Sequence, residues 1–442
     1  MNVDVKPLKT AAELSLAGTF AAAEDKLPGA GAVAALRHSA FRAFEARGLP
    51  HRRVEEWKYT DLRALMRDAK PLASPPDAAA KARAKAAPCP IGDVECRRVA
   101  FVNGAFAPDL SDLTALEDGL TIVSMAQALA EADPRVTAHL SNVIANDDPV
   151  LALNTALMSD GAFIHVASGA VVERPLHLAF IGPASAASVF TRSLIVVEKA
   201  GRAMLIESHQ GAAGVDYQVN TAAELVVGDD AHVDHVKLIA EGDKALHVST
   251  LLATIGAHAR FNAFTFTTGG AVVRNQIFLR FDGVETVAGI RGATLLGGKQ
   301  HADNTLVVDH RAVGCQSREL FKSVLDGDSR AVFQGKIIVQ PGAQKTDAKM
   351  MTQALLLSDR AEAINKPELE IFADDVQCGH GATAGALDPN LLFYLKARGI
   401  PHQQAEALLI QSFVGEAIEG IEHAGLREVL MEAVVARLAK RG

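Results

Sequence analysis

The pattern of apolar and polar positions divides the chain into four segments. Residues 1–70 carry apolar side chains three and four positions apart, which predicts helices. Residues 71–96 are rich in Pro and Ala and predict an exposed linker. Residues 97–387 consist of short β-type runs separated by Gly, and residues 388–442 return to a helical pattern. The chain is therefore predicted to have a β-rich core between two helical ends.

A regular repeat runs through the central segment. Four glycines recur at a nearly constant spacing, and these are Gly201, Gly228, Gly256 and Gly283. Each is followed directly by one strand-like run and later by a second run of the same kind. Two strands per coil are typical of a stacked β-solenoid, in which each coil buries its apolar face only against its neighbours. The alternative is a β-sandwich with coincidental Gly spacing, which the low aromatic content disfavours.

The C-terminal segment has clear helix signals. Asp388 and Pro389 suit an N-cap and the first helical position, and Gly399 suits a helix end. The next helix is predicted to bury one apolar stripe, formed by Ala405, Leu408, Leu409, Phe413, Ala417, Ile418 and Ile421. Helices at both ends would cap a solenoid or dock a partner, and the pattern alone favours capping.

Composition narrows the classes of function. The 442 residues carry a net charge of −8 with no dense Lys/Arg run, which argues against nucleic acid and anionic membranes as partners. One Trp and three Tyr offer few faces for stacking sugars or bases. With no visible signal peptide and no apolar run long enough to span a membrane, we expect a cytoplasmic chain with four free Cys thiols.

Several weaker motifs have ordinary structural interpretations. The G-x-G-x-x-A match at 29–34 does not follow a strand and predicts a helix start. Gly297-Gly298-Lys299 lacks the register and hydroxyl residue of a phosphate loop, so the chain is not expected to be a P-loop ATPase. His232 and His235 are three apart, which places them on opposite strand faces as poor co-ligands. Cys315 is expected to be a small buried side chain.

The densest group of chemically active residues lies at 373–383. On an extended strand Cys378 and His380 point the same way, and thiolate and imidazole are ligands for iron or zinc. Two ligands do not complete a metal site, so the others would come from elsewhere or from another chain. The competing interpretation is a buried Cys beside a hydrogen-bonded His.

A catalytic alternative uses the same stretch. Asp374 and Asp375, with the Gly-His-Gly element around His380, are similar to elements of secreted β-helix pectin hydrolases. Glycoside hydrolysis needs two carboxylates on either side of the scissile bond, whereas adjacent strand residues face opposite sides. We therefore keep a β-helix glycoside hydrolase only as the less favoured alternative.

Three stretches make the family resemblance specific. Residues 327–385, which include DDVQCGHGAT, resemble the core signature of the SufB/SufD family of iron–sulfur cluster assembly scaffolds. Residues 392–419 are similar to the C-terminal helical segment of the family, and EEWKYTDL at 55–62 resembles the N-terminal element of its SufD branch. Leu395 stands where SufB chains usually carry a Cys, which also favours the SufD branch.

The resemblance implies a right-handed parallel β-helix and a structural subunit that is not itself an enzyme. It implies pairing with SufB, docking of the ATPase SufC through the C-terminal helices, and homodimers when the chain is alone. His380, with Cys378 beside it, would lie at the SufB–SufD interface as a transient iron or sulfur site shared with the partner. No cofactor is expected to be bound stably by this chain. A transient iron–sulfur cluster and reduced flavin would belong to the assembled complex.

Overall fold

The computed structural model describes residues 9–439. Nineteen strands build the core of this part of the chain. In chain order they are β1 Arg97–Val102, β2 Ala105–Phe106, β3 Leu120–Ser124, β4 Ala162–Val166, β5 Leu176–Ile181, β6 Ser188–Val197, β7 Arg202–Gln210, β8 Gln218–Val227, β9 His232–Ala240, β10 Leu246–Ile255, β11 Arg260–Thr267, β12 Val272–Phe281, β13 Val287–Leu296, β14 His301–His310, β15 Gln316–Leu325, β16 Arg330–Val339, β17 Asp347–Leu356, β18 Glu362–Ile371 and β19 Gln377–Gly385.

Ten α-helices and three short 3₁₀ turns, at Glu24–Lys26, Glu55–Trp57 and Pro108–Leu110, complete the described residues. The helices are α1 Ala11–Ala23, α2 Ala32–Arg47, α3 Leu62–Leu65, α4 Ala78–Ala86, α5 Met125–Ala130, α6 Pro134–His139, α7 Pro149–Leu157, α8 Pro389–Ala397, α9 His402–Ile418 and α10 Ala424–Ala439. None of the helices in this part of the chain is both long and apolar enough to cross a membrane.

The strands form two parallel stacks. One sheet has the order β19-β17-β15-β13-β11-β9-β7-β5-β1-β2, and the other β18-β16-β14-β12-β10-β8-β6-β4-β3. From β7 to β19, each strand of the first sheet pairs in parallel with the equivalent strand of the next coil. The predicted parallel β-helix with two strands per coil is confirmed, and the sandwich alternative is wrong. Only the pairs β1–β2 and β3–β4 of the described strands are antiparallel.

The repeating glycines mark corners where successive coils touch. A Cβ on Gly256 would lie 2.7 Å from the amide nitrogen of Asp229 and 2.8 Å from the carbonyl carbon of Gly228. A Cβ on Gly283 would lie 2.2 Å from the carbonyl carbon of Gly256. No side chain fits between backbones at these separations, which explains why the repeat is visible in the sequence.

The N-terminal helices cover the outer face of the nine-stranded sheet. Trp57 is buried there, with its indole N–H donating to Asp148 at 2.9 Å and its ring 3.9 Å from the guanidinium carbon of Arg274. The segment 71–96, predicted to be an exposed linker, contains α4. Because Ala80 and Ala84 of that helix are buried in one cluster with β1, the segment is packed in part against the core.

The C-terminal helices lie on the flank of the solenoid. Helix α9 packs across β13 and β15 of the ten-stranded sheet, and α10 packs on α9. The expectation that they cap the coil end is therefore wrong, because β18 and β19 at that end stay uncovered by the described residues. The predicted apolar stripe is also shifted, since Ile410 and Val414 are fully buried whereas Leu408 is exposed. Apolar residues surround most of α9, so contact with the sheet decides which face is buried.

Candidate metal and sulfur site at the open end of the solenoid

Cys378 and His380 lie on β19, the last strand of the ten-stranded sheet. Cys378 pairs with Ala348 and His380 with Met350 on the neighbouring strand β17. Ala348 and Met350 both belong to the apolar interior of the solenoid, and Cys378 packs against that interior. Strand alternation therefore places the thiol and the imidazole on the same, inward face, as predicted.

The site is open to solvent because no further coil of the described chain covers β19. His380 is exposed, Cys378 is half-buried, and the His380 side chain has no hydrogen-bond partner within residues 9–439. A concavity of about 380 Å³ surrounds them, lined by Lys349, Met350, Met351, Gln377, Cys378, Gly379, His380 and Gly381. The competing interpretation of a buried Cys beside a hydrogen-bonded His is therefore wrong for this pair.

The surroundings keep the Cys378 thiol protonated. Partial burial raises the pKa of this thiol, and the carboxylates of Asp347 and Glu319 raise it further, while the Ala348 amide lowers it only in part. A thiol with a raised pKa is a poor nucleophile at neutral pH and becomes a metal ligand only when it loses its proton. Binding of a metal ion or approach of a positive group would supply that deprotonation.

The two aspartates do not form a hydrolytic pair. Asp374 and Asp375 lie in the bend between β18 and β19 and not on a strand. Asp375 forms an ion pair with Lys345, and its amide donates to the Gln344 side chain at 3.0 Å. One carboxylate bound to a lysine and one exposed beside it do not enclose a glycosidic bond, so the geometry gives the hydrolase alternative no support.

The weaker motifs have the structural roles predicted for them. Gly31 is the N-cap of α2, Gly297–Lys299 is a turn that leads into β14 and not a helix, and Cys315 is fully buried. His232 and His235 belong to different groups. His232 lies 3.5 Å from Asp234 on the outer face, whereas His235 points inward to Glu207 at 3.2 Å.

Two interior residues next to this site were missed by sequence reasoning. Met350 lies directly beside His380, and Glu319 lies one strand further inside, opposite Met350. Glu319 is buried, and neither carboxyl oxygen has a hydrogen-bond partner among residues 9–439. Burial raises its pKa from 4.5 to about 7, an effect that the Ser317 hydroxyl and Arg318 offset only in part. The repeat could have revealed both residues, because equivalent positions in successive coils are neighbours in the structure, and Glu319 and Met350 are equivalent to His380 in the two preceding coils.

The geometry defines a β-solenoid with a thiol and an imidazole on the same face of the last, uncovered strand of one sheet. Residues 180–413 match the family model for the SUF system FeS cluster assembly SufBD core domain, and residues 15–178 match the SufBD protein N-terminal region. The chain belongs to the SufBD family of iron–sulfur cluster assembly proteins.

Individual relatives agree with this assignment along most of the chain. The chain is 29% identical to the iron–sulfur cluster assembly protein SufD of Escherichia coli, over 88% of this chain and 90% of that protein. It is also 29% identical to a SufBD family protein of Synechocystis, over 88% of this chain and 87% of the relative. A SufBD family protein of Mycobacterium tuberculosis is 31% identical over 70% of this chain and 78% of its own length.

Proposed function

We propose that this chain is a SufD-type scaffold subunit that is not itself an enzyme. It pairs with a SufB-like paralogue, and a nascent iron–sulfur cluster is built where the two chains meet. One observation carries the proposal: Cys378 and His380 share a face of the last strand, at the open end of the solenoid. The cluster is the cargo of this site.

The uncovered coil end supports pairing with another chain. In the described part of the chain β18 and β19 each end a sheet, so one edge of each strand has unpaired backbone groups. Such edges accept strands from a partner. Phe372, directly after β18, has 61% of its surface exposed and adds an apolar contact. The same edges would accept a second copy of this chain, which fits a homodimer in the absence of the paralogue.

The ligand count supports a shared site. Iron–sulfur clusters are usually held by four thiolates, with imidazole as an occasional substitute. Cys378 and His380 offer two donors, so the paralogue has to supply the others. We therefore propose that the isolated chain holds no stable cluster or flavin, and that any flavin binds only to the assembled complex.

The exposed face of α8 supports docking of the ATPase subunit SufC. Leu391, Phe393 and Tyr394 expose 52%, 72% and 53% of their surfaces on this one short helix. Exposed apolar groups of this density mark interaction surfaces. The helix adjoins α9, which fixes it to the flank of the solenoid. ATP hydrolysis would then be carried out by the docked subunit.

The cluster role is tested with the complex of this chain, its SufB-like paralogue and SufC. His380→Ala should leave complex formation unchanged and lower iron and sulfide per complex at least fivefold, because an exposed ligand is lost without loss of packing. His258→Ala, which removes another exposed histidine, in the turn between β10 and β11, is the matched control. Cys378→Ala should have an effect of similar size if the thiol binds iron or sulfur. Normal cluster content in the His380→Ala complex would remove this residue from the mechanism.

Docking of SufC is tested with point variants, because deleting α9 and α10 would expose the apolar flank of the sheet. Phe393→Ser should weaken SufC binding at least tenfold in calorimetry while leaving the thermal unfolding of this chain unchanged. Val435→Ser, on an exposed part of α10, is the control. Undiminished affinity of Phe393→Ser would place the SufC contact elsewhere.

A further inference from the structure

A group of charged and polar side chains is buried inside the solenoid, whose interior is mostly apolar. The group lies between β7 and β10 and consists of Glu207, His209, Tyr217, His235, Lys237, Glu241 and His247. Buried charges are costly unless they are paired or coordinate a metal ion. The family site at Cys378 and His380 makes no use of this group.

Three members of the group place ligand atoms close together. One such atom from each of His209, Glu241 and His247 lies within 4.8 Å of the others. Ligand atoms on a tetrahedral ion with bonds of 2.0–2.2 Å are about 3.4 Å apart, a separation that small side-chain rotations would reach here. Two imidazoles and one carboxylate are a donor set of Zn²⁺ and of non-haem Fe²⁺.

The surrounding side chains hold these donors in the orientation that a metal site needs. His209 Nε2 lies 2.6 Å from Glu207, which leaves Nδ1 of that ring as a donor of electrons. The Tyr217 hydroxyl donates to Glu241 Oε2 at 2.5 Å and leaves Oε1, which is 2.9 Å from His247 Nδ1. Metal-binding histidines commonly have a carboxylate on their other nitrogen, as His209 has here.

His247 adds an independent observation. Its side chain has no exposed surface, and its Nε2 atom has no hydrogen-bond partner among residues 9–439. Nδ1 of the same ring faces the Glu241 carboxylate, so His247 carries a second buried nitrogen that the protein leaves without a partner, in a core whose polar atoms are mostly paired. The charges of the group also favour a bound cation, because the group contains two buried carboxylates and one lysine, Lys237, which lies 3.5 Å from Glu207.

We propose that His209, Glu241 and His247 bind a divalent transition-metal ion, Zn²⁺ or Fe²⁺, inside the solenoid. Three protein ligands leave a fourth tetrahedral position for a small ligand. The alternative is that one imidazole carries a proton and supplies the positive charge, in which case no metal is held. The proposal does not depend on the role proposed for His380 and Cys378.

The test measures metal retained by the full chain. The protein is treated with chelator, incubated with one equivalent of Co²⁺, desalted and analysed for cobalt and for the visible absorption of tetrahedral Co²⁺. Wild type should retain close to one ion per chain, and Glu241→Gln and His247→Gln less than a fifth of that. Elemental analysis of chain purified from its own cells then distinguishes zinc from iron.

Two controls separate a metal ligand from a buried histidine and from surface binding. His310→Gln removes another fully buried histidine, which has Ser317 at 3.0 Å from Nε2 and an unpartnered Nδ1, and it should retain the ion. His232→Asn removes one ligand of the second possible metal-binding group, which His232 forms with Asp234 and Glu422 nearer the surface. This variant should also retain the cobalt ion. If His247→Gln fails to fold, the nearly isosteric Glu241→Gln and a rise in Tm of wild type with Co²⁺ decide. The proposal is wrong if wild type retains no cobalt after desalting, or if Glu241→Gln retains as much cobalt as wild type.

Discussion

Replacement of Glu319 by Gln should raise the stability of the protein, relative to wild type, by more at alkaline pH than in acid. The carboxyl group is buried inside β15 without a hydrogen-bond partner among residues 9–439, and its pKa is raised from 4.5 to about 7. The native state therefore keeps a proton that the unfolded chain loses between these two values. The contribution of Glu319 to the free energy of unfolding therefore falls as the pH rises from about 4.5 to about 7, and it stays constant above pH 7.

The size of the effect follows from the difference between the two pKa values. The pKa is 4.5 in the unfolded chain and about 7 in the folded protein. Because a tenfold change in a protonation equilibrium is worth about 1.4 kcal/mol, this difference lowers the stability by about 3 kcal/mol above pH 7. Gln is neutral at every pH and nearly the same shape as Glu. Its buried amide adds a cost that does not depend on pH, so this cost cancels when the substitution is compared at two pH values.

The assay is urea unfolding followed by circular dichroism at pH 4.5 and pH 8. The stability of Glu319→Gln relative to wild type should rise by about 3 kcal/mol between these conditions. Glu428→Gln, an exposed residue of α10, controls for the loss of one charge and should show a change near zero. Equal effects of Glu319→Gln at both pH values would show that the carboxylate is stabilised at pH 8, and the reasoning would then be wrong.

Two further predictions concern packing. Gly256→Ala should destabilise the protein by about 1–3 kcal/mol, because its Cβ would collide with the backbone of the neighbouring coil. Gly18→Ala, whose Cβ would lie in open space on α1, should stabilise the protein by up to about 1 kcal/mol. If urea unfolding showed stability changes of the same sign for both variants, this reasoning would be wrong. Trp57→Phe should cost about 1–3 kcal/mol, because Asp148 loses an indole donor and Arg274 part of its aromatic contact, and limited proteolysis should cut the N-terminal segment sooner than in wild type. Unchanged cleavage would show that Trp57 does not hold this segment.

The coil architecture was predictable because it rests on a local rule. A corner that admits no Cβ requires Gly, and the corners recur at each coil, so Gly228, Gly256 and Gly283 record the repeat directly in the sequence. That Cys378 and His380 point to the same face was predictable for the same reason, because side chains two positions apart on a strand always share a face. These features need no knowledge of distant contacts.

Features decided by distant contacts were not predictable in the same way. Helix α7 is a different case, because it lies within the segment predicted to consist of short β-type runs although Asp148 and Pro149 form the same local start signal as Asp388 and Pro389. On α9, only contact with β13 and β15 reveals that Ile410 and Val414 face the core and Leu408 does not. The interior charged group was missed because its members come from different coils.

The position of the candidate site follows from the same alternation that builds the core. Inward positions of a closed coil are covered by the next coil, so Met350 is buried and a ligand placed there could reach no partner. On a last strand such as β19, which no further coil of residues 9–439 covers, an inward-facing side chain stays accessible, as His380 does beside Met350. A strand from a second chain that pairs with β19 would close the coil and bring its own side chains over Cys378 and His380. Assembly of the two chains would then complete the metal site in the same step. The isolated chain would present the Cys378 thiol and the His380 imidazole but would not bind a cluster.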